Sequence, residues 1–360
     1  MNMNDIKEQK SEDIDYKCPH TINVIAGIAV NKHNMKKDKY DLLNYVKAHQ
    51  DKISITIKEN GHETLTIHSD KRFPLASTLK ILVAFNFVKK ATAHEISITD
   101  RVGIHDVEKF YIPNTDGGAH VNWKKSMNYP KEVSLLDVAK GMMQFSSNAC
   151  TDFLINKIGV EVINASIEDL QLNHDKISYV TPSVLIPGYL SNKRKIAIAK
   201  LKTMDKESYQ ALSQTLFKQM KANETTYLQE KVSHMLNQHM QLLITNKMPS
   251  STTKQYANLM YKLGKQLLTD KEKELFNDIF IGEKFKNTGD DYLWYKGGST
   301  MFVLTSALFK ESKDSTISVS VFIKDDSGGE LYWIRKIFND FVISIAQDPE
   351  FRKKVKDIVS

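Results

Sequence analysis

The sequence is poor in cysteine and has no long apolar run, and each absence removes a class of protein. Its two cysteines, Cys18 and Cys150, are too few for a disulfide framework and leave either one bridge or two free thiols. No segment approaches the roughly 18 consecutive apolar residues that span a bilayer. Residues 1–17 are polar and acidic, and the apolar run at 22–30 is too short and too far along to act as an export signal. These features lead us to expect a cytoplasmic protein without a membrane span. Neither a His pair at helical spacing nor a Cys–His set is present. His105-Asp106 and Asp116-Gly117-Gly118-Ala119-His120 therefore read as a structured loop beside a cleft rather than a metal site. No metal and no cofactor are expected.

The 360 residues suffice for one large domain or two smaller ones, and 41% apolar with 26% charged residues is ordinary for a globular chain. The net charge of +7 comes from lysines interspersed with acids, as at 36–41 and 271–274. A nucleic-acid binder would cluster that charge with aromatics on one face, so this is a solvated basic surface and no nucleic-acid partner is expected.

Residues 1–20 read as a loose tail, and 38–50 as an amphipathic helix with Leu42, Leu43, Tyr45 and Val46 inward. Ile53-Ser54-Ile55-Thr56-Ile57 alternates at period two, turns at Glu59-Asn60-Gly61 and resumes at Thr64-Leu65-Thr66-Ile67, a hairpin pattern. A helical run apolar on all faces follows from Ser77, which marks a helix buried within a domain. The middle, about 95–280, is mostly helical, with a loop-rich insertion at 111–130. Strands return at 292–295, 301–309 and 317–323, and Asp325-Asp326-Ser327-Gly328-Gly329 turns into a last helix through Trp333, Ile337, Phe341 and Ile345. There is no internal repeat.

The pattern Ser-x-x-Lys places two side chains on one helix face. A serine in the first turn lies near free backbone donors and the positive end of the dipole. A lysine one turn on, desolvated in a buried helix, can lose its proton and act as a base. The pattern occurs at Ser77-Thr78-Leu79-Lys80 and again at Ser251-Thr252-Thr253-Lys254. The first opens the buried helix after a hairpin, whereas the second reads as the cap of an exposed helix.

Phe73-Pro74-Leu75-Ala76-Ser77-Thr78-Leu79-Lys80 resembles the first motif of class A β-lactamases and penicillin-binding enzymes. The second motif of that family, Ser-Asp-Asn, has its counterpart in Ser146-Ser147-Asn148, and the third, Lys-Thr-Gly, in Lys296-Gly297-Gly298-Ser299. The resemblance covers about residues 40–345. It implies that Ser77 attacks a carbonyl and Lys80 takes or relays its proton. Ser146 passes that proton to the leaving group, and Lys296 keeps the local field positive. Asn148 bonds the substrate's side-chain amide, Gly298 allows close approach to the strand, and the backbone donors of Ser77 and Ser299 form the oxyanion hole.

Three departures from the family pattern stand out. Ser147 replaces an Asp that braces the helical lobe, and Gly297 replaces a hydroxyl residue that helps bind the substrate carboxylate. The general-base Glu of deacylation has no counterpart in residues 177–192, which contain Thr181, Pro182, Ser183 and Pro187 but no acid. Glu161, Glu168 and Glu207 read as surface charges, and Trp294 and Tyr295 as sheet packing.

The expected fold is α+β, serine β-lactamase/penicillin-binding-like: an antiparallel sheet flanked by helices (about 21–92 and 285–360) plus an all-helical lobe (about 93–284). The expected function is a serine hydrolase forming an acyl-serine intermediate on a small-molecule or peptide-like amide, lactam or ester. The alternatives are an acyltransferase or peptidase of the same fold, or a β-lactam-binding sensor that stays acylated. The natural substrate and the oligomeric state are not written in the sequence.

Overall fold

Asp38 opens the first helix, Lys39–Ala48, by accepting the N–H groups of Tyr40 and Asp41, while the Asp41 carboxylate accepts from Asp38 N. The computed structural model describes residues 36–281 and 289–358, so the tail at 1–20, the run at 22–30 and Cys18 lie outside the described residues. The alternating segment forms strand β1 (Ile53–Glu59), which turns into β2 (His62–Ile67). Asn60 and Gly61 take φ of 49° and 85°, the paired positive values that a tight hairpin requires. Late in the chain come β3 (Tyr292–Ser299), β4 (Val303–Ser312) and β5 (Ser315–Lys324). The five strands form one antiparallel sheet in the order β2-β1-β5-β4-β3, with Ile53 opposite Ile323 and Lys296 opposite Ala307.

Both faces of the sheet centre are covered. Ile53, Ile55 and Ile57 pack with Val319, Val321 and Ile323 against the Lys39–Ala48 and Leu331–Gln347 helices. The intervening polar residues of β1 turn inward as well. Ser54 and Thr56 share hydrogen bonds of 2.6 and 2.9 Å with Thr253 Oγ1, and Lys58 Nζ donates to Asn258 Oδ1 at 2.9 Å. A second core surrounds the Lys80–Thr92 helix, whose residues from Lys80 to Val88 are all buried.

Several elements differ from the sequence expectation. The helix after Ser77 begins as a 3₁₀ turn, Ala76–Leu79, and becomes α-helical at Lys80. The insertion at 111–130 contains a helix, Ala119–Ser126, because Ala119 and Trp123, four apart, bury one face. The strand expected over 292–295 runs on to Ser299, and the last helix is followed by another, Pro349–Lys356, capped by Asp348. The second Ser-x-x-Lys does not cap an exposed helix. Thr252, not Ser251, caps Thr253–Lys262, and that helix packs on the sheet through Tyr256, Ala257, Leu259 and Met260. Lys254 alone of the pattern faces outward, 3.7 Å from Asp70. Among the described residues no helix is long and apolar enough to cross a membrane.

Candidate active site

Strand β3 is the free edge of the sheet, and its hydrogen-bonding phase decides what it offers there. Thr300 N donates to Val303 O at 2.9 Å. In an antiparallel ladder bonded and non-bonded pairs alternate, so the Gly297–Ser306 and Ser299–Leu304 pairs are non-bonded. The N–H and C=O groups of Gly297 and Ser299 therefore point off the edge of the sheet. Gly298 lies against the nucleophile turn so tightly that a Cβ there would sit 2.6 Å from Ser77 N and 2.7 Å from Leu75 O. Only glycine fits.

The turn itself is bolted to the sheet. Thr305 Oγ1 donates to Leu75 O at 2.7 Å, so the 2.7 Å bond between Thr305 Oγ1 and Thr78 Oγ1 has Thr78 as donor. Leu75 N donates to Pro249 O, and Phe73 pairs with Ser251. Ala76, immediately before Ser77, sits at φ 46°, a left-handed conformation held by these flanking bonds. Ser77 stays partly exposed while Thr78, Leu79 and Lys80 are buried.

Lys80 has no solvent exposure, and its Nζ donates to Ser146 O at 2.6 Å, Asn148 Oδ1 at 2.9 Å and Ser146 Oγ at 3.3 Å. Lys296 Nζ reaches the same Ser146 Oγ at 3.0 Å and Gly297 O at 3.0 Å. Two amines thus meet on one hydroxyl, in a turn where Ser146 itself adopts φ 69°. Burial lowers the Lys80 pKa to about 8 despite the charges of Asp116 and Asp152. Burial, together with the charge of Lys80, drives Lys296 well below its ordinary value. At neutral pH this is a site with an amine close to losing its proton.

Sequence reasoning brought together Ser77, Lys80, Ser146, Asn148, Lys296, Gly298 and Ser299, and the fold gathers their segments at one edge of the sheet. It missed two carboxylates. Asp152, fully buried, accepts from Val180 N at 2.6 Å and Thr181 N at 2.7 Å, and burial pushes its pKa up to about 6. It ties the acid-free loop at 177–192 to the helix that carries Asn148. The other is half-buried Asp116, the acid whose charge acts most strongly on Lys80. The only signal for it was its place in the Asp-Gly-Gly segment, read as a structured loop. Glu161, Glu168 and Glu207 are exposed, as is His105, whose neighbour Asp106 is partly exposed.

Ser147 caps the Asn148–Ile158 helix by accepting from Cys150 N, and shares a 3.0 Å hydrogen bond with His120 Nδ1. His120 is buried between Tyr111 and Trp123, and desolvation lowers its pKa to about 4. Where the family pattern has an Asp, this chain braces the turn with a neutral Ser–His pair. Trp294 is buried in the sheet and donates to Asn277 Oδ1, while the Tyr295 hydroxyl donates to Asn339. Cys150 is a buried free thiol.

An antiparallel sheet edged by a serine turn, with helices on both faces, is the α+β architecture of the serine β-lactamase fold. The chain belongs to the β-lactamase enzyme family, whose model matches residues 38–289. Among solved structures, a β-lactamase from Chitinophaga pinensis superposes with a TM-score of 0.54 at 13% identity, covering 89% of this chain and 99% of that one. The TLA-3 extended-spectrum β-lactamase gives 0.53 at 15% identity, covering 89% and 98%. A β-lactamase from Sphaerobacter thermophilus gives 0.52 at 16% identity, covering 88% and 95%. Identities this low carry the fold alone. A search of curated proteins finds no match.

Proposed function

We propose that the chain is a serine hydrolase of the class A β-lactamase-like kind that forms an acyl-serine at Ser77. In this reading Ser77 Oγ attacks the carbonyl of a lactam, amide or ester as Lys80, in its neutral form, takes the Ser77 proton. The proton then moves through Ser146 Oγ to the leaving group, and Lys296 on that same hydroxyl favours its release. The N–H groups of Ser77 and Ser299 receive the oxyanion, and Asn148 orients the substrate. The observation that carries this reading is the convergence of two buried amines on Ser146 Oγ, at 3.3 and 3.0 Å, one helical turn from a partly exposed serine.

A second reading, a transferase or a sensor that remains acylated, is favoured by the 177–192 loop, which has no carboxylate to activate water. General-base assistance is typically worth about 100- to 10,000-fold, so without it release is slow and limits turnover. Intact-mass spectrometry after incubation with a β-lactam panel tests both readings. We expect an adduct that forms and persists in the wild type and is absent in Ser77→Ala. An adduct that survives Ser77→Ala would remove the assignment. Rapid turnover with no trapped adduct would defeat the slow-release expectation.

A further inference from the structure

We propose that Glu108 is a positioning residue for the 146–148 turn: through the ring of His120 it fixes the Ser147 hydroxyl, and with it the turn that carries Ser146 and Asn148. This rests on the reading of Ser146 and Asn148 as residues of the acylation site. His120 and Ser147 have no solvent exposure, yet among the described residues His120 Nε2 has no hydrogen-bond partner. A polar atom buried in this way is costly unless a nearby group answers it. The group beside it is a carboxylate. Glu108 Oε1 lies 3.9 Å from Nε2 and is itself held by Lys124 Nζ.

A neutral imidazole carries one ring proton, so the surroundings of both nitrogens decide where it sits. Ser147 Oγ accepts Cys150 N at 3.2 Å and lies 3.0 Å from His120 Nδ1. With the proton on Nδ1, that N–H would donate to Ser147 Oγ. The serine proton would then lack an acceptor among the described residues, and a bare Nε2 lone pair would confront Glu108. With the proton on Nε2 every group is answered. The Nε2–H points to the carboxylate, and Ser147 O–H donates to Nδ1. At 3.9 Å the Glu108 contact is an electrostatic attraction rather than a hydrogen bond, and burial strengthens it. Tyr111 and Trp123 flank the ring, and Asp116 is engaged with His120 N at 3.0 Å.

Ser147 joins this network to the site. It stands between Ser146, whose hydroxyl meets both amines, and Asn148, whose Oδ1 accepts Lys80 Nζ at 2.9 Å. Ser146 sits at φ 69°, a conformation that serine keeps only when surrounding bonds hold it. Glu108 ends the Ile104–Glu108 helix and His120 lies in Ala119–Ser126. Two helices outside the sheet thus set the orientation of the turn.

The test is a long-range ¹H–¹⁵N spectrum of the full chain labelled at the histidine ring nitrogens, with His120 assigned from His120→Gln. At neutral pH we expect the Nε2–H tautomer in the wild type and a shift toward Nδ1–H in Glu108→Ala. Glu108→Gln, whose amide oxygen can still accept, should keep the wild-type tautomer. So should Lys124→Met, which removes the ion pair but leaves the carboxylate. Where a penicillin acylates Ser77, the limiting acylation rate should fall about tenfold in Glu108→Ala and recover in Glu108→Gln. An Nδ1–H tautomer in the wild type overturns the proposal, as does an unmoved tautomer in folded Glu108→Ala. Equal losses in Glu108→Ala and Lys124→Met would mark a broken surface ion pair and overturn it too. If Glu108→Ala does not fold, the wild-type and Glu108→Gln tautomers decide. If no β-lactam acylates the wild type, the proposed function fails on that substrate class, while the tautomer still decides on Glu108.

Discussion

The turn at 146–148 and the loop at 177–192 contrast in how they treat charge. The turn directs a carbonyl, a hydroxyl and an amide oxygen at Lys80 and a second amine. The loop directs backbone N–H groups at Asp152 and carries no acid of its own. Under the proposed function the proton chemistry lies on the side of the turn, and the loop contributes backbone donors and no acid to it.

The largest test of this contrast is Lys80→Ala beside Lys254→Ala. We expect acylation by a penicillin, followed by rapid-quench mass spectrometry, to fall by about 100- to 10,000-fold in the first. The second should match the wild type, because Lys254 stands at the surface with Asp70. Equal losses would assign the chemistry to the wrong copy of the pattern.

Gly298→Ala comes next. Its Cβ would meet two backbone atoms, Ser77 N at 2.6 Å and Leu75 O at 2.7 Å, neither of which can swing away. Displacing the Ser77 donor should lower the acylation rate by about 100- to 1000-fold with little change in far-UV circular dichroism. Near-normal acylation would mean that the strand and the serine turn do not act together.

A smaller effect concerns pH. Lys80 must be neutral to accept a proton, and its pKa is about 8. The acylation rate should therefore rise with pH through that region, by about tenfold from pH 7 to its plateau, and a flat profile would exclude Lys80 as base. Because Lys80 and Lys296 interact, the observed midpoint belongs to the pair.

The last test leaves catalysis for the brace of the turn. His120 titrates near 4 in the fold and near 6.5 when unfolded. Between these values the unfolded chain binds the extra proton, so the contribution is fully present above pH 6.5 and is lost as pH falls toward 4. It amounts to roughly 3 kcal/mol. The thermal midpoint should fall over that window, and His120→Gln should flatten the slope. An unchanged slope would mean that His120 is not held neutral.

Much of this was legible in the chain. The hairpin at Asn60-Gly61 and the all-apolar helix after Ser77 depend on local patterning, which survives in any context. The segment bearing Ser77 was readable from its place at the head of that helix, and those bearing Ser146 and Lys296 only through their resemblance to the motifs of a known family. The second Ser-x-x-Lys misled because, of its four residues, only Lys254 faces outward, while Tyr256 and Leu259 of the same helix pack on strands assembled from both ends of the chain. The hydroxyls of β1 resemble a solvent face in sequence but bond to Thr253, some 200 residues away.

The sequence by itself determined the elements, the order of the serine, lysine and asparagine segments, and the absence of an acid from the 177–192 loop. Only the tertiary structure decided which groups carry charge at neutral pH. Lys80 is perturbed by burial, Lys296 by burial and by the charge of Lys80, and Asp152 and His120 by their burial. The free energy of a charge depends on the solvent it has lost and on the charges brought beside it, and residues such as Asp116 and Lys80, far apart in the chain, come under each other's influence only when the chain folds.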